Sequence, residues 1–282
     1  MDNRFIISLV PGTRLVQRLT GTTKVRLFAT SLFLLMASFD MRILLPGFLL
    51  QCALLGSIHP DLKRLRFIIV FMIASNALNI LLFYLANPLI GSNLAGSQTV
   101  LFSFGKHFPV TGETLFYFLT RLMKIAGVFV ASLWFVLSIT PSQLAAGLYS
   151  LKVPYKACTV VSLGLRYIPD ILRDFENTRA AMQMRGLELD SKKASLLSRL
   201  KQTSLILFPL VIVTFEKVGV IANAMELRGY GQGKKRSYYC EPRPAREDWF
   251  FLILAAVLFA GFLAYTIAGI ISPHPGLWYP FR

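Results

Sequence analysis

Residues 249 to 271, WFFLILAAVLFAGFLAYTIAGII, run for 23 positions without a charge. As a helix rising ~1.5 Å per residue they reach about 34 Å, enough to cross a hydrocarbon core of ~30 Å. Inside lipid every backbone N–H and C=O must find a partner within the protein, so a lone stretch of this kind is a helix. The run is not alone. Residues 67 to 86 make a second uncharged span, and residues 114 to 138 a third that carries Arg121 and Lys124, which must face the protein interior or snorkel to an interface. Between Thr22 and His59 an apolar region broken at Phe39-Asp40-Met41-Arg42 reads as two short spans, 27 to 39 and 43 to 58, joined by a tight turn. With 55% hydrophobic and only 16% charged residues, the chain is expected to be all-α: a polytopic membrane protein with a helical transmembrane bundle.

The orientation follows from the basic residues. With the N-terminus cytoplasmic, the segments 1 to 26, 59 to 66, 139 to 202 and 222 to 248 hold five, three, ten and six lysines and arginines, 24 in all. The external segments 40 to 42, 87 to 113 and 272 to 282 hold one each, which sets the topology by the positive-inside rule. The opening MDNRFIISLVPGTRLVQRLTGTTKV has no long apolar stretch ahead of a small-residue cleavage site, so it reads as a retained cytoplasmic segment. The expected division is residues 1–138 (N-terminal segment and four spans), 139–248 (a cytoplasmic or interfacial coupling region) and 249–282 (the last span and a short external tail). External loop 87 to 113, with its apolar patch Thr99 to Phe104, contacts a partner or re-enters the membrane on this reading. Residues 203 to 221 are also apolar enough to span. Crossing there would strand basic segments on opposite faces, so 203 to 228 is expected to be one long helix, kinked near Pro209, at the cytoplasmic interface.

Within the coupling region the chain writes one phrase twice. AAMQMRG (180 to 186) and NAMELRG (223 to 229) align at an offset of 43: Ala181 with Ala224, Met182 with Met225, Met184 with Leu227, Arg185 with Arg228, Gly186 with Gly229. Each copy closes an amphipathic helix. The first is expected to begin at Pro169-Asp170 and to carry Ile171, Leu172, Phe175, Thr178 and Met182 on one face, with Asp170 and Asp174 near the positive dipole end and Arg185 at the other. Gly186 and Gly229 can take the left-handed conformation that ends a helix. An Arg-Gly pair is also simply a good helix stop. Two copies on one side of the membrane, each offering a fixed cation beside small and adaptable apolar side chains, suit a partner with two equivalent sockets.

Other chemistries find little support. Cys52, Cys158 and Cys240, and His59, His107 and His274, are too scattered for a metal or nucleophilic site, and no catalytic residue or cofactor is expected. Gly231-Gln232-Gly233-Lys234-Lys235 fails as a phosphate loop, because Arg228 stands where the first glycine belongs and Lys235 where Ser or Thr must follow; it reads as a basic loop near anionic headgroups. A net charge of +16 divided among loops, with no stacking aromatics, does not make a nucleic-acid binder. A stand-alone secondary transporter or channel is the alternative reading; it would need ionisable residues at mid-membrane in both halves of a repeat, and only Arg121 and Lys124 are found.

The stretch from Ser138 to Gly186 resembles the transmembrane (T) component of energy-coupling factor transporters. The matching landmarks are Thr140-Pro141, Lys152-Val153-Pro154, Leu165-Arg166-Tyr167-Ile168-Pro169 and the two Arg-Gly copies, and the similarity covers residues 114 to 231. The N-terminal pattern is similar too, with Gly21-Thr22-Thr23-Lys24 where the family commonly has Asp-Pro-Arg-Thr-Lys. The resemblance implies a non-enzymatic scaffold in a prokaryotic cell membrane, whose coupling helices end in arginine motifs that dock on two ABC ATPase subunits, identical or different. It also implies a small substrate-binding membrane subunit, the S component, for a vitamin or transition metal ion. On this resemblance the docking residues are Ala181, Met182, Met184, Arg185, Gly186 and Ala224, Met225, Leu227, Arg228, Gly229. Met184 and Leu227 stand where family members often have alanine.

Overall fold

The computed structural model describes residues 15–60, 62–95, 100–104, 108–186, 196–233, 238 and 244–271. Pro11-Gly12 and Lys234 to Arg236 of the sequence patterns lie outside them. The described chain forms helices α1 (Leu15–Arg18), α2 (Gly21–Ala37), α3 (Met41–Ile58), α4 (Leu62–Ala86), α5 (Ile90–Ala95), α6 (Gly112–Ser138), α7 (Pro141–Ser150), α8 (Tyr155–Met184), α9 (Leu196–Leu227) and α10 (Arg246–Ile271). One antiparallel ribbon, β1 (Val100–Phe104) with β2 (Phe108–Thr111), stands in the stretch expected to be an external loop; Val100 faces Thr111 and Phe104 faces Phe108. Among the described residues the fold is all-α apart from that ribbon. It divides into two units: residues 1–151 with 240–282, and residues 152–239.

Threonines start the helices of the first unit. Thr20, Thr111 and Thr140 each sit in extended backbone and accept a hydrogen bond from the amide three residues on, which satisfies one of the orphan donors at a helix start. At α7 the arrangement is a complete capping box, with Gln143 returning the bond to Thr140 and Pro141 at the first helical position. The apolar faces of α2, α3, α6 and α10 converge on a core of Leu27, Leu54, Ile58, Ala131, Trp134 and Ala255, with Val16 of α1. Trp134 is fully buried, and its indole Nε1 donates to Gln51 Oε1 at 2.6 Å, so the largest core side chain keeps no orphan donor. Phe28 stacks on Phe135 at 4.2 Å.

Close packing of α2 on α7 depends on two glycines. A Cβ at Gly147 would lie 2.3 Å from Val25 Cγ2 and 2.6 Å from Gly21 O, and a Cβ at Gly21 would lie 2.2 Å from Gln143 O. Small residues at a helix contact let the backbones approach in this way.

Among the described residues five helices are long and apolar enough to cross a membrane: Met41–Ile58, Leu65–Ala86, Gly112–Ser138, Thr203–Leu227 and Arg246–Ile267. The expected spans 43 to 58, 67 to 86, 114 to 138 and 249 to 271 fall within or across these. The expected span 27 to 39 does not: α2 has 17 residues, about 25 Å of helix. Thr203–Leu227 meets the length and composition requirement although it was expected at the interface.

The second unit differs from expectation in its helix starts. The first amphipathic helix begins at Tyr155, after Pro154, and not at Pro169-Asp170. Pro169 lies buried inside α8, where a proline removes one helical hydrogen bond and bends the helix without ending it when the turns on either side are well formed. The second helix begins at Leu196, seven residues before the expected Thr203, and contains Pro209 as anticipated.

Candidate coupling site

The two Arg-Gly copies form matched ends on α8 and α9. Gly186 has φ +86° and Gly229 φ +69°, so both adopt the left-handed conformation that only glycine enters at no steric cost. At the second copy the Gly229 amide donates to Glu226 O at 2.8 Å and the Tyr230 amide to Met225 O at 2.9 Å, the paired bonds of a Schellman stop. At the first copy the Gly186 amide makes the corresponding bond to Gln183 O at 3.0 Å. Each helix therefore ends on a fixed residue, and the preceding arginine is held at a defined place.

Equivalent side chains share surroundings. Met182 and Met225 are half-buried; Met184 and Leu227 are 84% and 89% exposed, extreme values for large apolar residues. Arg185 and Arg228 are exposed, and neither guanidinium forms an ion pair or hydrogen bond with a described residue. The pairs Ala181 with Ala224 and Gly186 with Gly229 differ only between half-buried and exposed. Each tip thus offers a cation and an apolar side chain to solvent, next to a methionine that anchors the turn.

The tips are related through a contact between the helices. Lys217 Nζ donates to the Asp174 carboxylate, and these residues are 43 apart, the offset of the repeat itself. The contact joins residues that stand equally far ahead of the two Arg-Gly copies. Further along, Tyr155 at the start of α8 meets Tyr230 just past α9, edge to face at 5.9 Å, so the helices run antiparallel. Arg185 and Arg228 each lie 11 residues beyond the crossing pair, in opposite directions, which places each tip ~16 Å out and the two up to ~33 Å apart. The exposed ion pair itself contributes at most ~1 kcal/mol.

A buried polar knot in the first unit escaped the sequence reading, which noted Lys24 only as part of a basic pattern. Lys24 has no exposed surface; its Nζ donates to Gln17 O at 2.9 Å, Ser138 O at 2.8 Å and Gln143 Oε1 at 3.0 Å. Beside it, Asp248 Oδ1 accepts from the amide and hydroxyl of Thr20 at 2.8 and 3.0 Å, and Oδ2 accepts from the Ala245 amide at 2.9 Å. Burial pulls the Lys24 ammonium down to about 8 from 10.5, with the Asp248 carboxylate opposing the shift. The knot ties the first turn of α2 to the α6–α7 junction and to the first turn of α10. Those are the parts of the first unit that immediately precede and follow residues 152–239 along the chain.

Apolar helices of spanning length define a polytopic membrane protein, two of whose helices end in matched Arg-Gly turns. The model of the CbiQ family, described as cobalt transport protein, matches residues 12–239, and the chain belongs to that family. Among relatives, the energy-coupling factor transporter transmembrane protein EcfT of Bacillus selenitireducens is 26% identical over 92% of this chain and 97% of its own length. The protein of the same name from Listeria innocua is 33% identical over 43% of this chain, and an uncharacterized MG181 homolog of Mycoplasma pneumoniae is 30% identical over 45%. The matches span 48% of the Listeria protein and 31% of the Mycoplasma protein.

Proposed function

We propose that this chain is the energy-coupling transmembrane subunit of an energy-coupling factor importer, carrying the motion of two ABC ATPases to a small substrate-binding membrane subunit that takes up a vitamin or a transition metal ion. The observation that carries this is the pair of matched tips on α8 and α9, disposed about the Asp174–Lys217 contact. Two equivalent plugs on opposite ends of an antiparallel pair suit two equivalent grooves on a dimer of ATPases. The names borne by the Bacillus and Listeria relatives support the same reading.

In this mechanism the chain burns no nucleotide. Each ATPase closes on its partner and pulls on a helix tip; Arg185 and Arg228 supply forked charge-assisted bonds to a carboxylate in each groove, while Met184 and Leu227 fill its apolar floor. The levers are continuous helices of 30 and 32 residues. The coupling unit is cytoplasmic. Its α8 carries seven charges between Lys156 and Arg179, and α9 touches it at Lys217 and at the Tyr230 that follows the helix, so α9 lies along the interface with its apolar side toward lipid and the membrane subunits.

The test is co-purification with the two ATPases and uptake by the reconstituted complex. Arg185→Ala and Arg228→Ala should each weaken ATPase retention, since truncating one partner of a desolvated charge pair costs ~2–5 kcal/mol. The double substitution should abolish uptake while the protein still inserts in the membrane. Full uptake by the double variant would refute the proposal.

A further inference from the structure

Arg121 and Lys124 are two cations one turn apart on α6, a helix of spanning length, with Arg121 nine residues, or ~14 Å, from its start at Gly112. The groups that hold them are neutral. Arg121 Nε donates to Asn79 Oδ1 at 3.2 Å and one terminal nitrogen donates to Tyr117 Oη at 3.2 Å; its guanidinium carbon lies 3.5 Å from the centre of the Phe83 ring. Lys124 Nζ lies 3.6 Å from the centre of the Phe39 ring, at the turn between α2 and α3. No described Asp or Glu forms an ion pair with either cation. Aromatic faces and an amide oxygen orient a cation without neutralising it.

Two like charges side by side within a membrane span are expensive when no anion accompanies them. Hydrogen bonds to Asn79 and Tyr117 use two of the five guanidinium N–H groups, and the Lys124 ammonium makes no hydrogen bond to a described residue. The missing partner must accept several hydrogen bonds, carry negative charge and be able to reach a site flanked by phenyl rings. Phe39 stands in the turn that ends α2 and begins α3, and Tyr117 belongs to a residue type that gathers at headgroup level, where the abundant anion is a lipid phosphate.

We propose that Arg121 and Lys124, oriented by Asn79, Tyr117, Phe83 and Phe39, form a binding site for the phosphate of an anionic phospholipid held at the junction of α4, α6 and the α2–α3 turn. The arginine supplies a fork to two phosphate oxygens and the lysine a point charge. The bound lipid then neutralises the one cationic cluster that the sequence places inside a span. The site does not depend on ATPase docking and stands or falls separately.

The experiment uses the full chain in mild detergent, given phosphatidylglycerol and phosphatidylcholine of identical acyl chains in equal amounts, with the lipid carried into the gas phase read by native mass spectrometry. The wild-type chain should retain phosphatidylglycerol in preference by about tenfold or more, as expected when two cations face the headgroup. Arg121→Gln with Lys124→Gln should remove the preference, and Arg26→Gln, which neutralises an exposed cation on α2, should leave it. A second reading needs no variant: the melting midpoint of the wild-type chain should be higher in phosphatidylglycerol than in phosphatidylcholine. Equal retention of the two lipids by the wild type, a preference that survives the double substitution, or equal melting midpoints would each overturn the site, and would point to a carboxylate on a partner membrane protein as the missing anion.

Discussion

Lys24 donates to three oxygens on three different elements: a carbonyl in α1, the carbonyl of the last residue of α6 and the side chain of Gln143 in α7. None of this was legible in the sequence, because Ser138 and Gln143 stand 114 and 119 residues away and the neighbouring Asp248–Thr20 bond spans 228. A lysine among threonines on a basic segment reads as a solvated charge until those partners are folded around it. Its depressed pKa gives a signed prediction. In the unfolded chain the ammonium keeps its proton to about 10.5, whereas in the fold it releases it near 8. Between those values the unfolded state binds more protons, so the fold gains stability as pH rises, by up to ~3 kcal/mol for a shift of this size. Lys24→Met should lower stability at pH 7 by ~2–4 kcal/mol, because buried acceptors lose their donor. It should also erase that part of the rise, so the gap in melting midpoint between wild type and variant widens from pH 7.5 to 9.5. A gap that stays constant across this range would show that Lys24 does not titrate there.

At the scale of elements, the repeated ends were legible and the helix beginnings were not. The left-handed stop needs only a glycine at the right place, so Gly186 and Gly229 announce it locally. The start of α8 differs from expectation because Pro169 suits a first helical turn and the interior of a 30-residue helix alike, and leaves the same local trace in both. The antiparallel pairing of α8 with α9 was also out of reach, since it rests on Asp174 meeting Lys217 and Tyr155 meeting Tyr230. The two parts of each tip should behave differently when changed. Gly186→Ala meets no atom within 4 Å and pays only the left-handed penalty, about 1 kcal/mol, so it should weaken ATPase retention severalfold at most. Met184→Asp with Leu227→Asp leaves both helix stops intact but replaces the most exposed apolar side chains with acids beside the arginines. That pair should lose retention as completely as the double arginine variant, with an unchanged circular dichroism spectrum. Retention of the ATPases by the aspartate pair would mean that the tips bind through charge alone.

For the whole molecule, hydropathy and charge made the polytopic class plain, because a membrane allows few backbone solutions. Length made Thr203–Leu227 ambiguous, since a helix packed along a polar neighbour at the interface and a helix crossing the bilayer can share one composition. The proposed mechanism favours the interface: a crossing α9 would either drag the seven charges of α8 into hydrocarbon or part the Asp174–Lys217 and Tyr155–Tyr230 contacts. A crossing would also put Arg185 and Arg228 on opposite faces, where no single ATPase dimer could reach both. In a background with Cys52, Cys158 and Cys240 replaced by alanine, Arg185→Cys and Arg228→Cys should each be blocked from a membrane-impermeant maleimide in right-side-out vesicles and labelled in inside-out ones. Labelling of the two positions from opposite faces would place α9 across the bilayer and end the two-tip mechanism, whatever the tips bind.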